Sequence, residues 1–160
     1  MTTTVQIRDA LPADTPRLVD FNLRMAWETE HLRLDPARLA AGVAGVFEQP
    51  HRGFYRVAEI DGAVVGGLLV TREWSDWRCG DWWWIQSVYV VPELRGAGVF
   101  SALYADIDQR ARAAGAVGLR LYVERDNVRA QRTYARLGMA PTEYLLYAAG
   151  FAPTGMPDGR

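Results

Sequence analysis

The stretch from Asp81 to Gly98 limits the fold more than any other part of the chain. Residues 81–91 are dense in aromatic and β-branched side chains and stop at Pro92, which reads as a long strand. Gly96 and Gly98 follow. Val99, Leu103, Ile107 and Ala111 then recur at four-residue spacing until Gly115, the pattern of a helix with a glycine stop. Residues 118–123 read as a further strand. Strand, glycine-bearing turn, helix and strand in succession place the chain among α/β or α+β folds.

The flanking sequence predicts a matching set of elements. Residues 5–9 alternate as a first strand, and Thr15-Pro16 reads as an N-cap with proline at the first helical position. Leu18, Phe21 and Met25 give that helix an apolar stripe. Asp35-Pro36 repeats the start signal, followed by Leu39, Val43, Val46 and Phe47. Residues 54–60 and 63–71 form a hairpin across Asp61-Gly62, with Gly66-Gly67 marking a bulge or a close backbone approach. Residues 75–80 read as a loop. Asn127 caps a helix through Leu137, stopped by Gly138, and residues 142–147 read as a last strand. The expected order is β-α-α-β-β-β-α-β-α-β, a mixed sheet with helices on both faces. It makes one domain over residues 1–160, with a loosely ordered tail after about 148.

Composition removes several function classes. The 18 basic residues are all arginine, which excludes a P-loop nucleotidase, a Schiff-base enzyme and a pyridoxal enzyme with a tethered cofactor. Codon composition in a GC-rich, bacterial genome is the bland explanation of that bias. Cys79 is the only cysteine, so no internal disulfide forms and a reducing cytoplasm is the expected location. Two distant histidines and one cysteine have no zinc-site spacing, so no metal is expected. A net charge of -1 argues against general nucleic-acid binding, though not against a local basic patch. No apolar run approaches the roughly 20 residues of a membrane span, and the N-terminus lacks signal-peptide regions.

The turn after the long strand carries the chemistry. A helix N-terminus offers unpaired N–H groups and about half a positive charge, so it suits a pyrophosphate. Glycine permits close approach and Arg95 adds a cation. A tight turn that binds nothing is the plain alternative. Residues 95–100 do not spell G-x-G-x-x-G, which weakens a dinucleotide-binding oxidoreductase.

The second half narrows the choice. The strand at 118–123 leads to Asn127, Ala130, Tyr134 and Gly138-Met139. Together with the R-x-x-G turn of Arg95 and Gly98, this order resembles the GNAT superfamily of acetyl-CoA-dependent N-acetyltransferases, from Val5 to about Tyr147. The resemblance implies a sheet splayed between parallel strands at 86–91 and 119–123, with acetyl-CoA in the opening. Val88, Tyr89 and Val90 then match the backbone positions that pair with the pantetheine arm. Arg95, Gly96, Ala97, Gly98, Val99, Phe100 and Ser101 match the pyrophosphate turn. The N–H near Val88 matches the oxyanion donor, Tyr134 the acid that protonates the leaving thiolate, and Asn127 a helix cap that also reaches the pantetheine. Phe100 departs from the usual glycine or alanine; it either turns inward or weakens cofactor binding.

On the acceptor side the resemblance points to Glu28 and Glu30, as amine-binding groups or as the base. Neighbouring carboxylates raise each other's pKa, which suits a base near neutral pH. Asp76, Asp81, Glu124, His31 and His51 are weaker candidates, and Cys79 is a poor nucleophile. Trp74, Trp77 and Trp84 either wall a pocket for a cationic amine or mark a homodimer interface. The implied activity is transfer of an acetyl group to a primary amine of a small molecule or peptide, by direct attack in a ternary complex. The alternative is a catalytically weak acyl-CoA-binding or regulatory module.

Overall fold

Against the ten elements expected from sequence, the described residues form five strands and four α-helices, with short 3₁₀ turns at Pro12–Asp14 and Pro92–Leu94. The computed structural model describes residues 4–151. Residues up to Tyr122 and residues from Val123 onward form two compact units.

The first unit holds β1 (Gln6–Asp9), α1 (Thr15–Glu30), α2 (Pro36–Glu48), β2 (Gly53–Ile60), β3 (Ala63–Ser75), β4 (Gly80–Val90), α3 (Val99–Ala113) and β5 (Gly118–Arg120). The strands lie in sequence order; β1 to β4 pair antiparallel and β4 pairs with β5 in parallel. The mixed α/β sheet expected from the sequence is therefore present.

Local chemistry explains most boundaries. Asp61 and Gly62 both take positive φ, +50° and +80°, as a two-residue type I′ hairpin turn requires. Asp35 accepts hydrogen bonds from the N–H groups of Ala37 and Arg38 and so caps α2. The start of α1 differs from expectation. A single 3₁₀ turn, Pro12–Asp14, precedes it, and Asp14 occupies the N-cap position instead of Thr15. The Asp14 carboxylate points backwards, accepting from the Leu11 N–H at 2.7 Å and from Arg8 at 2.8 and 3.1 Å, and does not cap α1.

Gly66 and Gly67 show how the layers meet. A Cβ on Gly67 would sit 3.2 Å from Leu18 of α1, whereas one on Gly66 would sit 3.3 Å from Val99 of α3. Adjacent strand residues point to opposite faces, so α1 and α3 cover opposite sides of the sheet. The α3 stripe of Val99, Leu103, Ile107 and Ala111 is buried as its spacing predicts, each larger side chain contributing roughly 1.5–3 kcal/mol. Arg56 of β2, only 2% exposed, is the buried charge among the described residues. It meets Asp106 of α3 through two hydrogen bonds, at 2.8 and 2.9 Å, and also bonds Asp9 of β1.

In the second unit, Asn127 accepts from the Ala130 N–H at 3.1 Å and caps α4 (Val128–Arg136). Gly138 follows in the left-handed region, φ +91°. Two expectations are corrected. β5 ends at Arg120 instead of 123, and residues 142–147 form no strand. Tyr144, Leu145, Leu146 and Tyr147 are exposed, and among the described residues no neighbouring strand takes their backbone groups into a ladder. The expected loose tail lies mostly outside the described residues; 148–151 carry no regular structure. Among the described residues, no helix is long and apolar enough to cross a membrane.

Candidate active site

The site begins with a register error built into β4. Leu69 pairs with Ser87 and Val70 with Ile85, so Gln86 is an extra residue on β4, a β-bulge. One extra residue reverses which parity faces which side. Trp83 packs edge-on against Phe54 at 5.2 Å, on the face opposite α1. Tyr89, also odd-numbered, stacks on Phe21 of α1 at 5.2 Å. Without the bulge Tyr89 would face the other way.

The bulge lies where β4 loses its outer neighbour. Parallel pairing with β5 ends at Trp84–Arg120, while β4 continues to Val90. Among the described residues no strand pairs with the outer edge of 86–90, so its outward backbone groups have no ladder partner there, although the Val90 carbonyl accepts from Arg95. Gln86 spans the divergence. Its amide nitrogen donates to Thr71 Oγ1 at 2.8 Å, and its oxygen accepts from the Tyr122 hydroxyl at 3.0 Å.

That edge runs into the glycine turn. A 3₁₀ turn at Pro92–Leu94 is followed by Gly96 at φ +82° and Gly98 at φ +86°, conformations that glycine adopts without the Cβ strain of other residues. Gly98 is the N-cap of α3 and supplies no side-chain acceptor, so the first turn of α3 has no side-chain cap. Ser101 is exposed on that turn. Phe100 turns inward: it is half-buried, packs against the core, and lies 6.2 Å from the Tyr104 ring.

Arg95 is directed back along β4. Its Nε donates to the Val90 carbonyl at 2.9 Å, its guanidinium lies 5.0 Å over the Tyr89 ring, and one terminal nitrogen meets Glu28 at 2.7 Å. The second Glu28 oxygen accepts from the Tyr89 hydroxyl at 2.7 Å. Burial alone would raise the Glu28 pKa, but the bonds from Arg95 and Tyr89 outweigh it and hold the carboxyl below its usual range. The same pairing, added to burial, pushes the Tyr89 phenol up. Beside this group, α1 crosses β3 and β4 over a small recess lined by Leu18, Phe21, Asn22, Met25, Ser87 and Val88, among others.

Residues 8–139 match the Acetyltransferase (GNAT) family model. The chain belongs to the GNAT acetyltransferase family. It is 37% identical to a possible acetyltransferase from Clostridium difficile 630, over 93% of this chain and 99% of that one, with a TM-score of 0.87. Two more distant structures share the fold. An aminoglycoside N-acetyltransferase solved in complex with CoA matches at TM-score 0.77 and 16% identity, over 94% of this chain and 97% of that one. A ribosomal-protein-alanine N-acetyltransferase from Brucella melitensis biovar Abortus 2308 matches at 0.73 and 17%, over 92% and 100%.

Within this GNAT chain the structure brings some sequence-predicted residues together and separates others. Val88, Tyr89 and Val90 lie where β4 pairs with β3 but carries no strand on its outer edge among the described residues, and residues 95–101 form the turn and the first turn of α3. Glu28 and Glu30 do not act as a carboxylate pair. They are two positions apart on α1, a spacing that points side chains in different directions, and Glu28 faces Arg95 and Tyr89. Its pKa falls where the sequence argument expected a rise.

The tryptophans divide as well. Trp84 donates its indole N–H to Glu73 at 3.1 Å and lies 5.6 Å from the Tyr122 ring. Trp74 sits opposite Asp81, on the face of β4 opposite to Trp84, and is 63% exposed; Trp77, in the turn after β3, is 92% exposed. A single aromatic wall of Trp74, Trp77 and Trp84 is therefore not assembled. In the second unit, Asn127 is the α4 cap, and burial pushes the Tyr134 phenol up. Asn22, Gln86, Ser87 and Tyr122 escaped the sequence argument. Gln86 had a signal, as the one polar amide in an apolar strand run.

Proposed function

We propose that this acetyltransferase moves an acetyl group from acetyl-CoA to the primary amine of a small molecule or peptide, by direct attack in a ternary complex. The observation that carries the proposal is the continuity of the unpaired β4 edge with the Gly96–Gly98 turn and the uncapped start of α3, all in one compact unit. A linear, hydrogen-bonding pantetheine arm fits the first and a pyrophosphate fits the second. Acetyl-CoA supplies an acetyl group already activated as a thioester.

The chain's own residues do the rest. The outward backbone groups of Val88 and the Val90 N–H align the pantetheine arm, since the Val90 carbonyl holds Arg95 and Tyr89 pairs toward β3. The N–H groups of Gly96, Gly98, Val99, Phe100 and Ser101 receive the phosphates, with Ser101 adding a hydroxyl, while the Ala97 N–H is taken by the Leu94 carbonyl. Asn127 caps α4 and contacts the pantetheine. The N–H near Val88 steadies the oxyanion, a contribution of roughly 2.7–4 kcal/mol for one such donor in a dry site. Tyr134 donates a proton to the leaving thiolate; burial raises its pKa, so the phenol is protonated but a weaker acid, and the transfer depends on its position beside the sulfur.

Glu28, held ionised, is suited to binding a cationic amine more than to accepting a proton. Glu30 is the carboxylate proposed as base. Trp84 is proposed for the acceptor side, and the exposed Trp74 and Trp77 for the acceptor or a second copy of the chain. The reading as a weak acyl-CoA-binding module drew on Phe100, and its inward packing removes that support.

Calorimetry with acetyl-CoA and thiol release across a panel of amines test the proposal. Binding together with thiol release for at least one primary amine is expected. Binding without release for any acceptor would favour the module, and absence of binding would sink both.

A further inference from the structure

We propose that Glu28 is an internal anion that occupies Arg95 until a cofactor phosphate replaces it, so that cofactor binding hands the Glu28 carboxylate to the acceptor amine. This rests on the proposed function, because it requires acyl-CoA phosphates at the turn that Arg95 opens. Glu28 is thereby a positioning residue for cofactor binding as well as an acceptor group.

Three observations point to an exchangeable contact and not a permanent clamp. First, Arg95 and Glu28 touch through one pair of atoms, Arg95 NH2 to Glu28 Oε2 at 2.7 Å, while the other carboxylate oxygen is taken by Tyr89. A two-pronged arginine–carboxylate pair would be harder to part. Second, both side chains are about one-third exposed, 35% and 36%, so a competing anion can reach the guanidinium. Third, each partner stays anchored when the pair opens. Glu28 keeps the Tyr89 hydroxyl, and Arg95 keeps the Val90 carbonyl and the Tyr89 ring. Neither side chain has to be rebuilt for the exchange.

The chemistry of the two states then differs in a useful way. With Arg95 on Glu28, the carboxylate's charge is already paired and an incoming ammonium finds a weak site. With Arg95 on phosphate, Glu28 remains held by Tyr89 and loses its direct ion pair, leaving Arg24 as the nearby cation, so its charge is more open to the amine. Linkage makes this reciprocal: cofactor and cationic acceptor each strengthen binding of the other.

The test compares CoA with pantetheine, which lacks every phosphate, by calorimetry on the full chain. Glu28→Gln keeps an oxygen for the Tyr89 hydroxyl and removes the charge. It is expected to tighten CoA binding about two- to five-fold, the range that an exposed ion pair represents. Pantetheine affinity is expected to stay the same. In an Arg95→Gln background the Glu28→Gln effect on CoA should vanish. Circular dichroism checks that each variant folds, and Glu28→Ala provides a second removal of the charge.

Unchanged CoA affinity in both Glu28 variants overturns the exchange, as does an equal gain for pantetheine or a gain that persists without Arg95. If the unaltered protein binds pantetheine but gains nothing from the phosphates of CoA, the exchange falls while the strand-pairing part of the proposed function survives. If it binds neither, both fall.

Discussion

Tyr134 and Asp14 show how differently two single residues are determined. Tyr134 is assigned by family motif, and burial raises its pKa, which keeps the phenol protonated while making it a weaker acid. Tyr134→Phe is expected to lower kcat by about 100-fold, the low end for general acid catalysis, with CoA affinity within two-fold. Steady-state kinetics with a chemistry-limited acceptor checks it, and an unchanged kcat removes the acid role. Asp14 has no motif at all. Its hydrogen bonds from Arg8, and then from the Leu11 N–H, hold its pKa below the usual carboxylate range, against burial. A carboxyl lowered on folding stabilises the protein above its unfolded pKa of about 3.9 and loses that contribution as pH falls through the lower folded value. Thermal melts from pH 6 down to pH 2 should therefore show Asp14→Asn destabilised by about 1 kcal/mol near neutrality. The gap to the unaltered protein should close toward the acid end; a constant gap would contradict the assignment.

Elements were legible where a local signal coincided with their packing. The α3 stripe, the Asp35 cap and the Asp61-Gly62 turn each follow from residues within a few positions of one another. The bulge at Gln86 was not legible, because it exists only as a mismatch between β3 and β4. The same holds for β5, whose end depends on where β4 diverges, and for 142–147, whose strand-like sequence meets no strand partner among the described residues. Gly66→Ala tests the link from element to site. The new methyl would meet the Tyr89 carbonyl at 3.1 Å and Val99 at 3.3 Å, and the backbone oxygen cannot yield as a side-chain end can. A loss of about 1–3 kcal/mol in urea unfolding is expected, with weaker CoA binding as the start of α3 is pushed outward. Equal CoA affinity would show that the turn is insensitive to that displacement.

For the molecule as a whole, Arg56 ties β1, β2 and α3 through Asp9 and Asp106. Removing one partner of a buried pair typically costs about 3–5 kcal/mol. Arg56→Ala belongs at about 3 kcal/mol by that range, since Asp9 is exposed and Asp106 keeps Arg110 at 3.3 Å. That is a large share of the 5–15 kcal/mol of an ordinary domain, so equilibrium denaturation should show it plainly. The exposed Trp77 sits at the other extreme. Trp77→Ala should change unfolding stability by no more than about 0.5 kcal/mol, and sedimentation tells whether its exposure serves a second copy.

The sequence by itself determined the α/β class, most of the helices and strands, and the glycine turn, because periodicity, caps and φ preferences act over a few residues. It also carried the family, through Arg95, Gly98, Asn127 and Tyr134 in order. Only the tertiary structure decided that Tyr89 faces α1, that Trp74 and Trp84 part, and that Glu28 pairs with Arg95 instead of Glu30. Those outcomes depend on one extra residue in β4 and on contacts across 67 positions of chain, which no local pattern records.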